Sequence, residues 1–369
     1  MLKKKLQLYF KILFQNIFLI IYGKIKTEDI NYLDNQDKLI IIDNIKSDTY
    51  PDHKYFLYKI KNGRIHTDLN ENVSIINKNN LISECSFQQI NGKLKNKNFN
   101  STLFKGTPRL KKKFKGIIFN LTQGGSGNNY FHFIFDLIPK IYLLKEKLPI
   151  RCISYFYVPE ITDWQQKIYI LFGIGKERLI DSKKIRHVEA DWIIASSHPW
   201  YFKGYFQDET INIPQWIVNY NRNNFLPLMK KFNNNKKIFL DRSSSVFTHC
   251  QIKNNDEIIN TLSKKGFTTY KVEDLSFEEQ IFLFNDASII VGAHGAAFTN
   301  IIFCKPETKI IEIIPTSHPS RKCQRISKIL KLNYKRIIVK ENNNDKNFPF
   351  NIILNKQHLN EIENIIDQD

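Results

Sequence analysis

A chain of 369 residues is too long for one ordinary core and short for three, so two domains of roughly 100–200 residues each are expected. With 42% hydrophobic and 13% aromatic residues, the composition excludes a disordered chain and suits an ordinary soluble fold. The formal charge of +19 invites nucleic acid as a partner, but no recognition helix, zinc module or RNA-binding aromatic pair is present, and nucleic acid is set aside.

Only 10 of the 55 basic residues are Arg, and the abundance of Lys, Asn and Ile points to AT-rich coding as one source of the charge. Anionic membrane surfaces and phosphorylated substrates stay compatible with it. Cys85, Cys152, Cys250, Cys304 and Cys323 are scattered without C-x-x-C spacing, which gives neither a zinc ribbon nor a disulfide framework and makes a cytoplasmic location the simplest expectation. The sequons at Asn72, Asn100 and Asn120 are expected by chance in an Asn-rich chain and carry no weight.

Residues 2–24 are basic at the start and apolar afterwards, with no small-residue cleavage site following. As a helix, this segment puts Lys4, Gln7, Lys11 and Gln15 on one stripe, with Leu8, Phe10, Leu13, Phe14, Ile17, Phe18 and Ile21 over the rest. Its uninterrupted apolar run, residues 17–22, is far shorter than the roughly 20 residues of a membrane span. Two readings stay open: a helix lying on a membrane surface, at the inner face of the plasma membrane, and a helix docked on the protein's own core.

Residues 27–115 are polar and interrupted by turn signals such as Asn62-Gly63 and Asn91-Gly92, so short strands and loops are expected. From Gly116 the pattern becomes α/β: a strand over 117–121, the loop Gly124-Gly125-Ser126-Gly127, a helix over 128–147, strands near 153–158 and 192–195, and helices over 163–172 and 214–222. Strand 238–241, helix 255–265, strand 268–272, a helix opened by the capping box Ser276-Phe277-Glu278-Glu279, strand 288–292, a short helix, strand 310–314, helix 321–330 and strand 335–339 follow. Strict alternation of this kind means a parallel sheet covered on both faces. The expected organisation is an amphipathic helix over 1–25, an N-terminal domain over 26–225, a linker over 226–237, a C-terminal domain over 238–345, and a C-terminal helix within 346–369 that packs back on the first domain.

The strand Ile289-Ile290-Val291 runs into Gly292-Ala293-His294-Gly295-Ala296-Ala297, where small residues leave room for a diphosphate against backbone amides at a carboxyl sheet edge. Thr299 and Asn300 add polar groups on the first helical turn. Arg242 closes the preceding strand at the same edge, where its guanidinium can fork an anion. Glu312 interrupts an apolar strand, and a lone carboxylate there needs a partner: a ribose hydroxyl or a neighbouring Lys. His132 and Asp136 are four apart on one helix, the spacing of a carboxylate-oriented imidazole, although a His on an aromatic helix is more often a satisfied core residue. No metal site is expected, since His and Cys do not cluster at ligand spacing and the only Asp-x-Asp is Asp367 with Asp369 at the end of the chain. Neither a nucleophile elbow nor a dinucleotide fingerprint is present, and Gly124–Gly127 lacks the Gly-Lys-Ser/Thr of a P-loop.

Three stretches together resemble glycosyltransferase family 61, which includes bacterial capsular-polysaccharide enzymes, plant xylan-decorating transferases and eukaryotic GlcNAc transferases. They are Asn129-Tyr130-Phe131-His132 through Asp136-Leu137-Ile138-Pro139-Lys140, then Leu240-Asp241-Arg242 with Asn254-Asn255-Asp256-Glu257, then Gln280, Gly292 through Asn300 and Glu312 to Pro315. Order and spacing match over residues 115–335. Two departures stand out: Lys140 in place of the usual Arg, and Thr248-His249-Cys250-Gln251 where a second Arg is common, with His249 as a substitute. The resemblance implies two Rossmann-like domains facing a cleft, a GT-B arrangement. It also implies a nucleotide-sugar donor on the C-terminal domain, a glycan or lipid-linked glycan acceptor on the N-terminal one, inversion without a required metal or other cofactor, and a role in capsule or surface polysaccharide. On that reading His132 is the base oriented by Asp136, while Arg242, Gly292, His294, Gly295, Ala296, Asn300 and Glu312 hold the donor. A non-catalytic nucleotide-sugar-binding homologue and another envelope transferase, such as a pyruvyl transferase, are the alternatives.

Overall fold

The computed structural model describes residues 2–27, 37–90, 93–95, 99–127, 129–202, 208–243, 250–341 and 351–368. Asn91-Gly92, Asn128, His249 and Asp369 from the sequence reading lie outside them. The chain forms two compact units, Met1–Phe206 and Gln207–Asp369.

The first unit opens with helix α1 (Leu2–Tyr22). Its strands are β1 (Lys26–Thr27), β2 (Lys38–Ile42), β3 (Tyr55–Lys61), β4 (Arg64–Thr67), β5 (Val73–Asn77), β6 (Asn80–Leu81), the hairpin β7 (Gln88–Ile90) and β8 (Lys93–Lys95), β9 (Lys112–Asn120), β10 (Tyr155–Val158), β11 (Leu179–Asp181) and β12 (His187–Ser196). All but the hairpin join one ten-stranded sheet, with β1-β6-β5-β4-β12-β9-β10-β11 along its main path and β3 pairing both β2 and β12. This corrects the expected Rossmann-like first domain. β12, β9, β10 and β11 run parallel, as do the two-residue strands β1 and β6, whereas β3 and β4 pair antiparallel with β12 and extend the sheet into the Asn- and Lys-rich region. Tyr58, Ile60, Ile65, Ile75, Ile118, Tyr157, Val188 and Ile193 form one core cluster of this sheet.

Helix α2 (Thr102–Lys105) is a single turn. Helix α3 is continuous but not uniform: Tyr130–His132 is α-helical, Phe133–Leu137 is a π-turn and Ile138–Lys145 is α-helical again. The Asn129 carboxamide caps it, accepting from the amides of Phe131 and His132. Pro139 supplies a cause for the π-turn, because it has no amide to bond the carbonyl four residues back. Helix α4 (Asp163–Leu171) opens with a capping box at Thr162 and Gln165.

In the second unit, helix α5 (Gln215–Phe225) is followed by β13 (Lys237–Leu240), α6 (Asn255–Lys264), β14 (Thr268–Tyr270), α7 (Phe277–Asp286), β15 (Ile289–Ala293), a 3-10 helix (Ala296–Phe303), β16 (Lys309–Pro315), α8 (Lys322–Leu330), β17 (Asn333–Val339) and α9 (Lys356–Asp367). The five strands are all parallel in the order β14-β13-β15-β16-β17, the doubly wound 2-1-3-4-5 order. The predicted capping box is formed, Ser276 accepting from the Glu279 amide and Glu279 from the Ser276 amide.

Two boundaries differ from the sequence reading. Arg222 on α5 donates to the carbonyls of Ile302 and Cys304, and Phe225 packs edge-on against Phe277 and Phe303, so α5 and the expected linker lie inside the second unit. Helix α9 buries Leu359, Ile362 and Ile366 in the core cluster that contains Phe239, Val291, Ile311 and Ile337 of this same unit, which corrects its expected packing on the first domain. The helix itself was expected from the sequence; the sheet it covers was not.

Candidate functional site

In a 2-1-3-4-5 sheet the chain leaves β13 towards β14 on one side and returns to β15 on the other, so the carboxyl ends of β13 and β15 form the switch point where ligands bind. Arg242 lies just beyond β13 and His294 just beyond β15. At Gly292 an added Cβ would stand 2.9 Å from the Leu240 Cβ, so glycine there lets β15 lie close to β13. At Gly295 an added Cβ would stand 1.3 Å from Arg242 Nη1: the guanidinium lies directly against the glycine. Lys322 donates from Nζ to the Gly295 carbonyl at 2.8 Å. Arg242, His294, Glu312 and Lys322 are all buried, whereas Ala296 and Ala297 are partly exposed at the start of the 3-10 helix.

His294 Nδ1 donates to Glu312 Oε1 at 2.5 Å, and the Tyr334 hydroxyl donates to Glu312 Oε2 at 2.5 Å. Burial would raise the Glu312 carboxyl, but the His294 imidazole and the Tyr334 hydroxyl bring it below the usual carboxylate range. Burial lowers His294 against the pull of Glu312, and the Lys322 and Arg242 cations lower it further. The resting pair is a carboxylate and a neutral imidazole whose Nδ1 hydrogen points at the carboxylate, which directs Nε2 away from it. Glu312 therefore acts on His294, with both oxygens engaged. His294, Glu312 and Cys323 bring their potential ligand atoms within 4.8 Å of one another. Burial pushes the Cys323 thiol well up, and Lys322 and Arg242 add positive charge nearby.

A cavity of about 410 Å³ adjoins this corner, lined by Asp208, Thr316, His318, Pro319, Arg321, Arg336 and Ile338. The His318 ring lies 4.3 Å from that of His294, centroid to centroid, which ties the cavity to the switch point. Asn300 is buried and donates to Gln280 Oε1 at 3.1 Å, linking the 3-10 helix to α7.

The first unit carries a second imidazole–carboxylate pair. His132 Nδ1 lies 2.8 Å from Asp136 Oδ2 across the π-turn of α3. Asp136 is fully buried and also accepts from Trp200 Nε1 at 2.8 Å and from Gln123 Nε2 at 3.1 Å. Gln123 in turn lies 2.7 Å from His198 Nε2, and the backbone amides of Trp200 and Tyr201 donate to His198 Nδ1. Lys140 is buried one turn further along α3, where burial lowers its ammonium to about 8 against the opposing charge of Asp136. Three donors on one carboxylate fix the orientation of the His132 ring, the requirement for a positioned base.

Sequence reasoning thus placed both pairs' principal members but missed Lys322, Tyr334, His318, Gln123, His198 and Trp200. These come from separate elements, and no local spacing announced them. Lys322, beside Cys323 at the start of a strongly amphipathic helix, was the one position where a charge on a buried face could have been noticed.

A doubly wound unit with cationic side chains at its switch point is the class of α/β domain that binds anionic ligands. A family model described as Glycosyltransferase 61 matches residues 130–311, from the first residue of α3 to the residue before Glu312. The chain is 38% identical over 60 residues to a beta-1,2-xylosyltransferase of Arabidopsis thaliana, covering 16% of this chain and 11% of that protein. It is 36% identical over 44 residues to the beta-1,2-xylosyltransferase RCN11 of Oryza sativa subsp. japonica, covering 12% and 8%. These matches span about a tenth of the length of the curated relatives. Among solved structures, the dodecameric iron-containing heptosyltransferase TibC, in complex with ADP-D-beta-D-heptose, aligns over 90% of this chain and 84% of its own, at 9% identity and a TM-score of 0.27. Residues 130–311 are a glycosyltransferase family 61 domain.

Proposed function

We propose that the protein is an inverting glycosyltransferase that moves a sugar from a nucleotide-sugar donor to a glycan or lipid-linked glycan of a capsule or surface polysaccharide, with no metal required. The observation that carries this reading is the corner of Arg242, Gly295 and His294 at the β13/β15 switch point. The donor diphosphate is assigned to that corner, against Arg242, the His294 imidazole and the first amides of the 3-10 helix, with Lys322 behind it. A diphosphate beside His294 raises the imidazole's affinity for a proton, so that Nε2 donates to the phosphate oxygen. The adjoining cavity is assigned to the remainder of the donor.

Inversion is a single displacement. The acceptor hydroxyl oxygen attacks the anomeric carbon, the bond to the diphosphate breaks, and the hydroxyl proton passes to His132, which Asp136 orients through Nδ1. Fixed positive groups stabilise the leaving diphosphate. The supporting test is calorimetry with nucleoside diphosphates and nucleotide sugars, followed by transfer assays with His132→Ala. The expected outcome is donor binding unchanged and turnover reduced by roughly 10²–10⁴-fold. Normal turnover in that variant overturns the base assignment, and donor binding without hydrolysis or transfer by the native protein supports the non-catalytic alternative.

A further inference from the structure

Every described side chain of α1 from Lys4 through Phe14 is exposed, including Leu6, Leu8, Tyr9, Phe10, Ile12, Leu13 and Phe14, and Ile20 near its end is 85% exposed. A helix docked on its own core would bury such a face. The last turn of α1 touches the body of the unit. An added Cβ on Gly106 would meet the Leu19 side chain at 2.8 Å, the Tyr22 hydroxyl accepts from the Lys111 amide at 3.1 Å, and the Tyr22 ring meets His187 edge-on. The segment that receives this turn also exposes large apolar side chains, Phe104 at 74% and Leu110 at 80%.

Charge singles out the occupant of this surface. Residues 2–26 and 99–115 contain no Asp or Glu. Lys4, Lys5, Lys11, Lys24 and Lys26 on and after the helix, and Lys105, Arg109, Lys112 and Lys115 on the receiving segment, are all exposed. Among the described residues, Lys111 and Lys113 are paired with Glu189. Two such surfaces repel each other, which disfavours a second copy of the chain. No helix among the described residues is long and apolar enough to cross a membrane. Large apolar side chains interleaved with lysines, whose stems lie along apolar surface while the ammonium reaches outward, match the interface of an anionic bilayer.

We propose that α1 and the segment from Phe104 to Lys115 form one membrane-docking face that binds the surface of anionic lipid bilayers. The inference does not depend on the activity proposed above. It is tested with the full chain by co-sedimentation with vesicles of phosphatidylcholine alone or with roughly 30% phosphatidylserine. The expected result is at least about tenfold tighter binding to the anionic vesicles, weakening as salt rises. Leu13→Glu with Phe14→Glu abolishes binding, and Lys4→Gln, Lys5→Gln and Lys112→Gln together remove the preference for anionic lipid. All five positions are exposed, so unchanged thermal melting confirms that each variant folds. Absence of vesicle binding, equal binding to neutral vesicles, or a dimer by light scattering that Leu13→Glu dissociates would each overturn the proposal.

Discussion

At Gly295 the constraint is space and not backbone angle: its φ of 176° is ordinary extended geometry, yet a single methyl would occupy the place of the Arg242 guanidinium. Gly295→Ala is therefore expected to displace Arg242 and weaken binding of a nucleoside diphosphate by roughly tenfold or more, the loss of one charge-assisted contact of about 1.5–3 kcal/mol. Calorimetry on the variant checks this, and undiminished affinity would remove Arg242 from the proposed diphosphate site. Asp136 presents the opposite case, a carboxylate whose three donors leave no slack. Asp136→Ala strands those donors in the interior and should destabilise the protein by about 3 kcal/mol or more, measurable by urea denaturation. His132, His294, Arg242 and Glu312 were legible because their types are conspicuous against apolar or glycine-rich neighbours. Their partners Gln123, Trp200, Lys322 and Tyr334 were not, because each is brought in by a different element across the sheet.

Among the elements, the parallel strands and their helices in the second unit were readable almost to the residue, since buried parallel strands are short continuous apolar runs and their helices carry one apolar stripe. The π-turn in α3 was not, because a widened turn leaves the 3.6-residue pattern nearly unchanged over so short a segment. Helix α9 shows the limit of periodicity most directly. The sequence reading expected a docked helix here, but the stripe of Leu359, Ile362 and Ile366 that docks it does not name the surface it covers. Its place in the second unit's core makes a stability prediction: Ile362→Ala should cost about 2–5 kcal/mol, seen as a lower denaturation midpoint. A neutral result would mean that α9 is not part of that core.

For the molecule as a whole, the first unit holds four histidines whose titration weakens it in acid. Burial lowers His66 to about 3, with nearby cations adding to the effect, lowers His198 to about 3, and lowers His53 and His187 to about 4. Their stabilising contribution is complete above the unfolded value of 6.5. As pH falls below it, the unfolded chain takes up protons that the folded state refuses, and stability drops by up to roughly 1.4 kcal/mol per proton per pH unit until the native state also titrates. Melting temperatures measured from neutral pH to about pH 4.5 should therefore fall steadily, and a flat profile would contradict the burial of these rings. Sequence by itself determined the α/β class, the doubly wound second unit, the switch-point glycines and the His132–Asp136 spacing, because these follow from apolar periodicity and from residue types at fixed local spacing, whereas the pairing of His294 with Glu312 came from the fold. Only the tertiary structure decided that the first unit's sheet is mixed, where each unit ends, which core α9 joins and which buried donors hold each carboxylate. Those outcomes depend on contacts between residues far apart in the chain, for which local pattern carries no address.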